Sequence, residues 1–149
     1  MPSLFIVATP IGNLEDISLR ALRVLKEADL ILCEDTRVTR KLLDRYDIKK
    51  PLQSYHQHSK LAKMEYILDM LASGKNVALV SDAGTPGISD QGGLLVETIV
   101  KRFGDEVKIV PIPGANAALA ALSVSGFPTD RFVFLGFPAL PHLPQYPLP

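Results

Sequence analysis

Three loops rich in small residues are the parts of this sequence best suited to chemistry. They cover residues 8–13, 81–90 and 113–117, and each follows a short apolar run. Glycine lets a backbone approach a ligand closely, and each loop leads into a predicted helix whose first N–H groups are free donors. Such donors suit a carboxylate, a ribose hydroxyl or an adenine edge. One loop alone could be only a tight turn, but the three together predict a ligand-binding site.

Two polar clusters follow the second and third apolar runs of the chain. The first is Glu34 with Asp35, and the second is His56 with His58. The two histidines point the same way if the backbone is extended, but no third ligand is evident, so no metal site is predicted. They could instead contact a substrate or simply lie at the surface. Glu34 and Asp35 could also serve only as a cap for the next helix.

Positive charge is concentrated in residues 37–63. This basic segment holds eight Lys or Arg and two acidic residues, a net charge of +6 in a chain whose total is zero. The zero total excludes a whole-molecule field that would attract nucleic acid or a membrane, but a local basic face can attract phosphates. The alternative is an ordinary solvated helix surface.

Apolar runs alternate with amphipathic helical segments, which predicts repeated βαβ units. The predicted strands are residues 4–8, 30–33, 51–55, 77–80 and 107–112, and one more is predicted at 132–135. This order predicts an α/β fold in which a parallel five-stranded sheet has helices on both faces. Ligands bind at the carboxyl ends of the strands in such sheets, where the loops and polar clusters lie.

Several classes of protein do not fit the sequence. Cys33 is the only cysteine, so an internal disulfide or a cysteine-based zinc site is not expected. The phosphate-loop, dinucleotide-binding and hydrolase-elbow motifs are absent. The apolar start lacks the basic region of a signal peptide, and no run approaches the roughly 18 apolar residues of a membrane span, so we expect a cytoplasmic protein. Prolines at every third position predict a disordered tail over residues 138–149.

Three stretches resemble a known family. They are ATPIGNLEDI (residues 8–17), CEDTR (33–37) and SDAGTPGISD (81–90). They resemble the tetrapyrrole methylase superfamily, the class III S-adenosylmethionine-dependent methyltransferases, and look closest to its branch of ribose methyltransferases acting on small-subunit ribosomal RNA. The resemblance covers about residues 4–137.

The resemblance implies a two-domain enzyme that binds S-adenosylmethionine between its domains. Residues 1–125 would form the N-terminal domain, and residues 126–137 would form a linker and the first strand of a second domain that is otherwise missing. Because half of the cleft would then be absent, we do not expect this chain alone to be active. The residues matching the cofactor loops are Ile11, Asp82, Ala83, Gly84, Thr85, Pro86, Ile88, Asn116 and Ala117.

The RNA branch transfers a methyl group to the ribose 2′-hydroxyl of a cytidine, which implies a base and an RNA-binding face. The weak candidates for the base are Glu34, Asp35, His56 and His58, and the candidates for substrate contact are Asn13, Arg37, Arg40 and Lys41. The expected partners are ribosomal RNA or the small ribosomal subunit and a second copy of the chain, without DNA, membrane or metal. Two alternatives stay open: a methylase of tetrapyrroles, and a non-catalytic ligand-binding domain of flavodoxin-like form.

Overall fold

The computed structural model describes residues 1–56, 61–89 and 92–136, and its centre is one parallel sheet. The strands are β1 (Ser3–Val7), β2 (Leu30–Cys33), β3 (Leu52–Ser54), β4 (Val77–Val80) and β5 (Lys108–Ile112). They lie in the order β3-β2-β4-β1-β5, and every neighbouring pair is parallel. The predicted α/β fold class with a five-stranded parallel sheet is confirmed.

Helices cover both faces of the sheet, as predicted. They are α1 (Leu19–Glu27), α2 (Thr36–Arg45), α3 (Leu61–Ala72), α4 (Gly93–Phe103) and α5 (Ala117–Ser123). Buried residues of α1 and α2 share a core cluster with Ile31 and Ala78. Buried residues of α3 and α4 share a second cluster with Leu32 and Leu79. Successive strand residues point to opposite faces, so the two clusters lie on the two sides of the sheet.

The two inner strands β2 and β4 are apolar along their whole length, because helices cover both sides of them. Every residue of β2 and β4 is buried, and these two strands lie inside the sheet. Parallel strands of this kind are typically runs of Val, Ile and Leu rather than alternating patterns. β5 lies at an edge, and its burial is correspondingly incomplete.

Side-chain caps define where several helices begin. Asn13 caps a short 3₁₀ turn at Leu14–Asp16, and Ser18 caps α1 by accepting a hydrogen bond from the Ala21 N–H at 3.1 Å. Asp35 caps α2 by accepting a hydrogen bond from the Arg37 N–H, so the capping role that the sequence allowed for Glu34 or Asp35 belongs to Asp35.

The predicted strand at residues 132–135 is not formed, because no neighbouring strand pairs with it within the described part of the chain. The division into a domain at 1–125 and a linker with a first strand at 126–137 stays a prediction. The tail at 138–149 and the base candidate His58 fall outside the described residues. Of the helices described, none combines the length and the apolar character needed to cross a membrane.

Candidate functional site

The order of the strands brings the three small-residue loops together. β4, β1 and β5 are neighbours, so the loops that follow them leave the same edge of the sheet side by side. The Thr9 N–H donates to the Gly84 carbonyl at 2.9 Å, and the Gly84 N–H donates to the Thr9 carbonyl at 3.0 Å. Gly114 lies against Ala8 so closely that a Cβ at residue 114 would be 2.9 Å from the Ala8 side chain. The predicted convergence of the loops is confirmed.

Two buried hydroxyl groups hold the first and second loops together. Thr9 Oγ1 donates to the Ser81 carbonyl at 3.0 Å, and Ser81 Oγ lies 3.1 Å from the Gly84 carbonyl. Both side chains are buried, and both find partners on the loop backbone. These residues were not among the predicted site residues, although a small hydroxyl residue directly after a strand is a recognisable signal for such a brace.

The joined loops form one wall of a cavity of about 960 Å³. Eight of the nine residues predicted to contact a cofactor line this cavity: Ile11, Asp82, Ala83, Gly84, Thr85, Ile88, Asn116 and Ala117. Pro86 does not line it and is buried instead. The predicted base candidate Glu34 lines it as well, together with residues that were not among the predicted site residues: Ser81, Ser89, Ala118, Leu119, Phe132 and Phe134. Its volume lies in the range of about 300–1,000 Å³ that small-molecule sites occupy.

A second cavity of about 420 Å³ adjoins the first at the carboxyl ends of β2 and β3. Its lining residues are Glu34, Asp35, Thr36, Arg37, Ser54, His56 and Asp82. Glu34 and Asp82 line both cavities. The structure therefore brings three of the four predicted base candidates into this one cavity, together with the predicted substrate residue Arg37.

Asp82 joins the loop of the first cavity to the loop of the second. Its Oδ1 accepts a hydrogen bond from the Asp35 N–H at 3.1 Å. The loop after β4 and the loop after β2 are thus fixed relative to each other, although they are 47 residues apart in sequence. Sequence reasoning assigned Asp82 to the cofactor loop and did not foresee this connection.

The Asp35 carboxylate is fully engaged by Arg37. Oδ1 accepts from the Arg37 backbone N–H at 2.8 Å and from Nε at 3.0 Å, while Oδ2 lies 2.6 Å from Nη2. The hydrogen bonds from the Arg37 side chain, followed by that from its backbone, lower the pKa of Asp35 to about 2. Asp35 is therefore the least suitable of the candidates to take up a proton at neutral pH.

Glu34 differs from its neighbour because its carboxylate makes no hydrogen bond or ion pair with any of the residues described. It is half-buried at the boundary of the two cavities. His56 is exposed and lines the second cavity only. Among the described residues, no three acidic, His or Cys side chains form a group that could hold a metal ion.

The other predicted substrate residues lie outside both cavities. Arg40 and Lys41 are exposed on α2 and form no ion pair within the described residues. Asn13 lies at the start of the 3₁₀ turn, and the Tyr46 hydroxyl at the end of α2 donates to the Leu14 carbonyl of that turn at 2.6 Å. The turn and α2 are thereby tied together at the surface.

Comparison with known families identifies this arrangement. The family model described as "Tetrapyrrole (Corrin/Porphyrin) Methylases" matches residues 3–143. The chain belongs to this family. The match contains all three small-residue loops, so the cavity of this tetrapyrrole methylase chain is made from segments that the family model covers.

Curated relatives of this methylase chain carry the name "Ribosomal RNA small subunit methyltransferase I". The protein of Halalkalibacterium halodurans is 53% identical over 135 residues, which are 91% of this chain and 46% of the relative. The protein of Thermotoga maritima is 55% identical over 137 residues, which are 92% of this chain and 60% of the relative. The chain thus spans about half the length of the curated relatives it matches.

Solved structures of tetrapyrrole methylases share the fold. Uroporphyrin-III-C-methyltransferase from Thermus thermophilus superimposes with a TM-score of 0.62 at 23% identity, covering 85% of this chain and 54% of that one. Cobalt precorrin-4 methyltransferase gives a TM-score of 0.57 at 24% identity, covering 81% of this chain and 49% of that one. At these identities the likeness establishes the architecture of the methylase chain and not its substrate.

Proposed function

We propose that this chain is the cofactor-binding half of an S-adenosylmethionine-dependent methyltransferase that modifies the ribose 2′-hydroxyl of a cytidine in small-subunit ribosomal RNA. The observation that carries the proposal is the single cavity made by three loops that are distant in sequence. The names of relatives about half identical to this chain support the RNA substrate over a tetrapyrrole. With such a substrate, we expect the protein to act in the cytoplasm.

The first cavity suits S-adenosylmethionine in size and in chemistry. The exposed apolar side chains Ile11, Ile88 and Leu119 offer surfaces for a purine ring and its ribose. Asn116 Oδ1 accepts from the Leu119 N–H at 3.1 Å, which leaves the Asn116 amide N–H groups as donors. Gly84 keeps the floor of the cavity free of a side chain.

The residues of the chain act chiefly by positioning. When bound, S-adenosylmethionine supplies an activated methyl group on a sulfonium. The loop wall holds the donor at the edge of the sheet, and its backbone pairing between Thr9 and Gly84 fixes the wall before any ligand arrives. Holding donor and acceptor in line is the main source of rate enhancement in a transfer of this kind. The basic face of α2 would contact RNA phosphates, which orient the substrate without reading its sequence.

A blocked cavity tests the cofactor part of this proposal. We expect the chain to bind S-adenosylmethionine in isothermal titration calorimetry, and Ile11→Arg to abolish the binding. Leu14→Arg is the matched control, because Leu14 is 38% exposed against 36% for Ile11 and does not line the cavity. Binding of a flavin instead of S-adenosylmethionine would support the flavodoxin-like alternative and contradict the proposal.

A substrate test separates the RNA branch from the tetrapyrrole branch. The complete protein containing this chain is incubated with labelled S-adenosylmethionine and either small ribosomal subunits or uroporphyrinogen III. We expect label only in the RNA, on a ribose 2′-oxygen of a cytidine. Label only in the tetrapyrrole would favour the second branch, to which the solved structures of the same fold belong.

A homodimer is the remaining part of the proposal. Support for it comes from four large exposed apolar side chains that do not line the larger cavity and that a second copy would cover: Val124, Phe127, Val133 and Leu135.

A further inference from the structure

Glu34 lies where the two cavities meet. It lines the larger cavity, to which the proposed function assigns the methyl donor, and the smaller cavity beside it. A methyl transfer needs the acceptor oxygen close to the donor and on the side away from the leaving sulfur. The smaller cavity opens from the same carboxylate, so an acceptor lying in it would reach the donor past Glu34.

We propose that the smaller cavity is the subsite for the acceptor ribose and its neighbouring phosphate, with Glu34 as the group that takes the hydroxyl proton and Arg37 as the phosphate contact. This inference rests on the proposed function and assigns roles within the same site. Asp35 and Asp82 are positioning residues in this arrangement, because each acts through another group.

Glu34 is better placed than Asp35 or Asp82 to accept the hydroxyl proton, because each of those two carboxylates already accepts a hydrogen bond from the protein. Asp35 accepts hydrogen bonds from Arg37 on both oxygens. Asp82 Oδ1 accepts from the Asp35 N–H at 3.1 Å. The Glu34 carboxylate has no such partner among the described residues. An acceptor hydroxyl entering the cavity therefore finds a carboxylate with its lone pairs available.

Arg37 is suited to a phosphate because Asp35 holds only one edge of its guanidinium. The pair uses Nε at 3.0 Å and Nη2 at 2.6 Å, while Nη1 has no partner in the described part of the chain. The side chain is 87% exposed in spite of this pairing, so the free edge is open to an incoming anion. Arginine presents its donors in a planar fork that matches phosphate oxygens, and the ion pair with Asp35 fixes that plane in advance.

The proposed step balances as a displacement at carbon. The 2′-oxygen forms a bond to the methyl carbon, and the carbon–sulfur bond breaks with its electron pair remaining on sulfur. The hydroxyl proton passes to the Glu34 carboxylate, which later releases it to water. A 2′-hydroxyl is a poor nucleophile at neutral pH, so removing its proton during attack accelerates the transfer by roughly 10²–10⁴-fold.

The experiment compares Glu34→Gln with the wild type in the complete protein. Three quantities are measured: the affinity for S-adenosylmethionine, the affinity for small ribosomal subunits, and the single-turnover rate of methyl transfer as a function of pH. We expect both affinities to stay within about twofold and the rate to fall by roughly 10²–10⁴-fold at every pH tested. Glu15→Gln is the control, because Glu15 is an exposed carboxylate outside both cavities, and its rate should be unchanged.

The phosphate contact is tested by Arg37→Gln. We expect weaker binding to the ribosomal subunit, a salt dependence of that binding reduced by about one charge, and unchanged affinity for S-adenosylmethionine. Lys101→Gln, on α4 at the opposite face of the sheet, should leave RNA binding unchanged.

The outcomes separate this inference from the proposed function. A wild type that methylates RNA together with a Glu34→Gln variant of equal rate overturns the role of Glu34 alone. Loss of S-adenosylmethionine affinity in Glu34→Gln or Arg37→Gln places the residue in the donor site and also overturns the inference. A wild type that transfers no methyl group to RNA overturns the proposed function, and the inference falls with it.

Discussion

At the scale of single residues, the consecutive carboxylates Glu34 and Asp35 have different surroundings and different roles. Asp35 is turned to the start of α2 and engaged by Arg37, whereas Glu34 is directed to the boundary of the two cavities without a partner in the described residues. Their side chains differ by one methylene group, so the difference lies in where the backbone places them.

The Asp35–Arg37 pair makes the stability of the chain depend on pH. The pKa of Asp35 is lowered to about 2, mainly by the hydrogen bonds from the Arg37 side chain. The unfolded value is about 4, so the pair stabilises the fold above pH ~4 and loses its effect as the pH falls toward 2. Asp35→Asn keeps a capping oxygen but removes the charge. We expect a modestly lower melting temperature for Asp35→Asn at pH 6, and a difference from the wild type that narrows by pH 3.

Asp105→Asn serves as the control for this pH series, since Asp105 is exposed and forms no ion pair with any described residue. Its melting temperature should follow that of the wild type throughout. A gap between Asp35→Asn and the wild type that is the same at pH 6 and pH 3 would contradict the assignment of the pair.

Gly84 is the residue where backbone conformation and ligand binding coincide. Its φ is +82°, and a Cβ there would lie 3.6 Å from Cγ2 of Ile11, which lines the larger cavity together with Gly84. Gly74 has a similar φ of +86° with nothing within 4 Å of a Cβ. We expect Gly84→Ala and Gly74→Ala each to lower the free energy of unfolding by about 1–2 kcal/mol, because an L-residue is strained in this region. Urea denaturation measures this loss.

Only one of the two glycine variants should affect the ligand. We expect Gly84→Ala to weaken S-adenosylmethionine binding on the order of tenfold, about 1.4 kcal/mol, and Gly74→Ala to leave it unchanged. Equal affinities in the two variants, measured by calorimetry below the unfolding range, would show that the loop at Gly84 does not touch the ligand.

At the scale of elements, α2 carries two functions on two faces. Thr39, Leu42 and Leu43 are buried against the sheet, while Arg40 and Lys41 are exposed. The sequence already indicates which residues of α2 are buried and which are exposed, because residues three and four positions apart share a helix face. The buried face fixes the helix, which lets its exposed face remain charged.

Charge reversal on α2 tests whether this face binds RNA. We expect Arg40→Glu with Lys41→Glu, in the complete protein, to weaken binding to small ribosomal subunits and to reduce its salt dependence by about two charges. Lys101→Glu with Arg102→Glu on α4 makes the same change of charge on the opposite face of the sheet. If both double variants bind RNA equally weakly, the attraction depends on total charge and not on α2.

The sequence predicts the elements better than it predicts their ends or their neighbours. The strands at 30–33 and 77–80 appear where expected, because a strand buried on both sides must be an unbroken apolar run. The apolar residues at 132–135 carry the same pattern but form no strand, since a strand needs a hydrogen-bonding partner that no pattern can supply. The order of the strands likewise depends on packing between distant segments.

The loops of the candidate site could be predicted from the sequence, but the contacts between them could not. Glycine-rich loops identify the wall of the larger cavity, because only small residues allow a backbone to face a ligand. The link from Asp82 to the Asp35 N–H was not predictable, because it joins loops that the strand order alone makes neighbours. The pairing of Arg37 with Asp35 was hidden for another reason: a charged residue two positions from another has several rotamers, and the cap selects one.

At the scale of the whole molecule, residues 119–135, which include most of α5, expose much apolar surface to water. Seven large apolar side chains between residues 119 and 135 are more than half exposed: Leu119, Val124, Phe127, Phe132, Val133, Phe134 and Leu135. Exposed apolar surface on this scale marks an interaction site. The core on the two faces of the sheet, by contrast, is fully enclosed.

The chain as it stands should therefore associate with itself. We expect sedimentation velocity to show a mass that rises with concentration, and Val124→Lys with Phe127→Lys to reduce this association. Leu19→Lys is the control, because Leu19 is an apolar side chain on α1 that is 86% exposed, against 82% for Val124. A wild type that stays monomeric at every concentration would contradict both the association and the proposed homodimer.

The position of β1 between β4 and β5 also determines when the sheet can form during synthesis of the chain. Leu4 pairs with Val77 on one side and with Ile109 on the other. The first strand therefore pairs only with strands that are synthesised much later. Closing such long segments costs entropy before any contact compensates for it, which slows folding. On the ribosome, the first strand leaves the exit tunnel with neither neighbour yet synthesised. The ligand wall, which needs all three strands, can therefore form only after β5 has been synthesised.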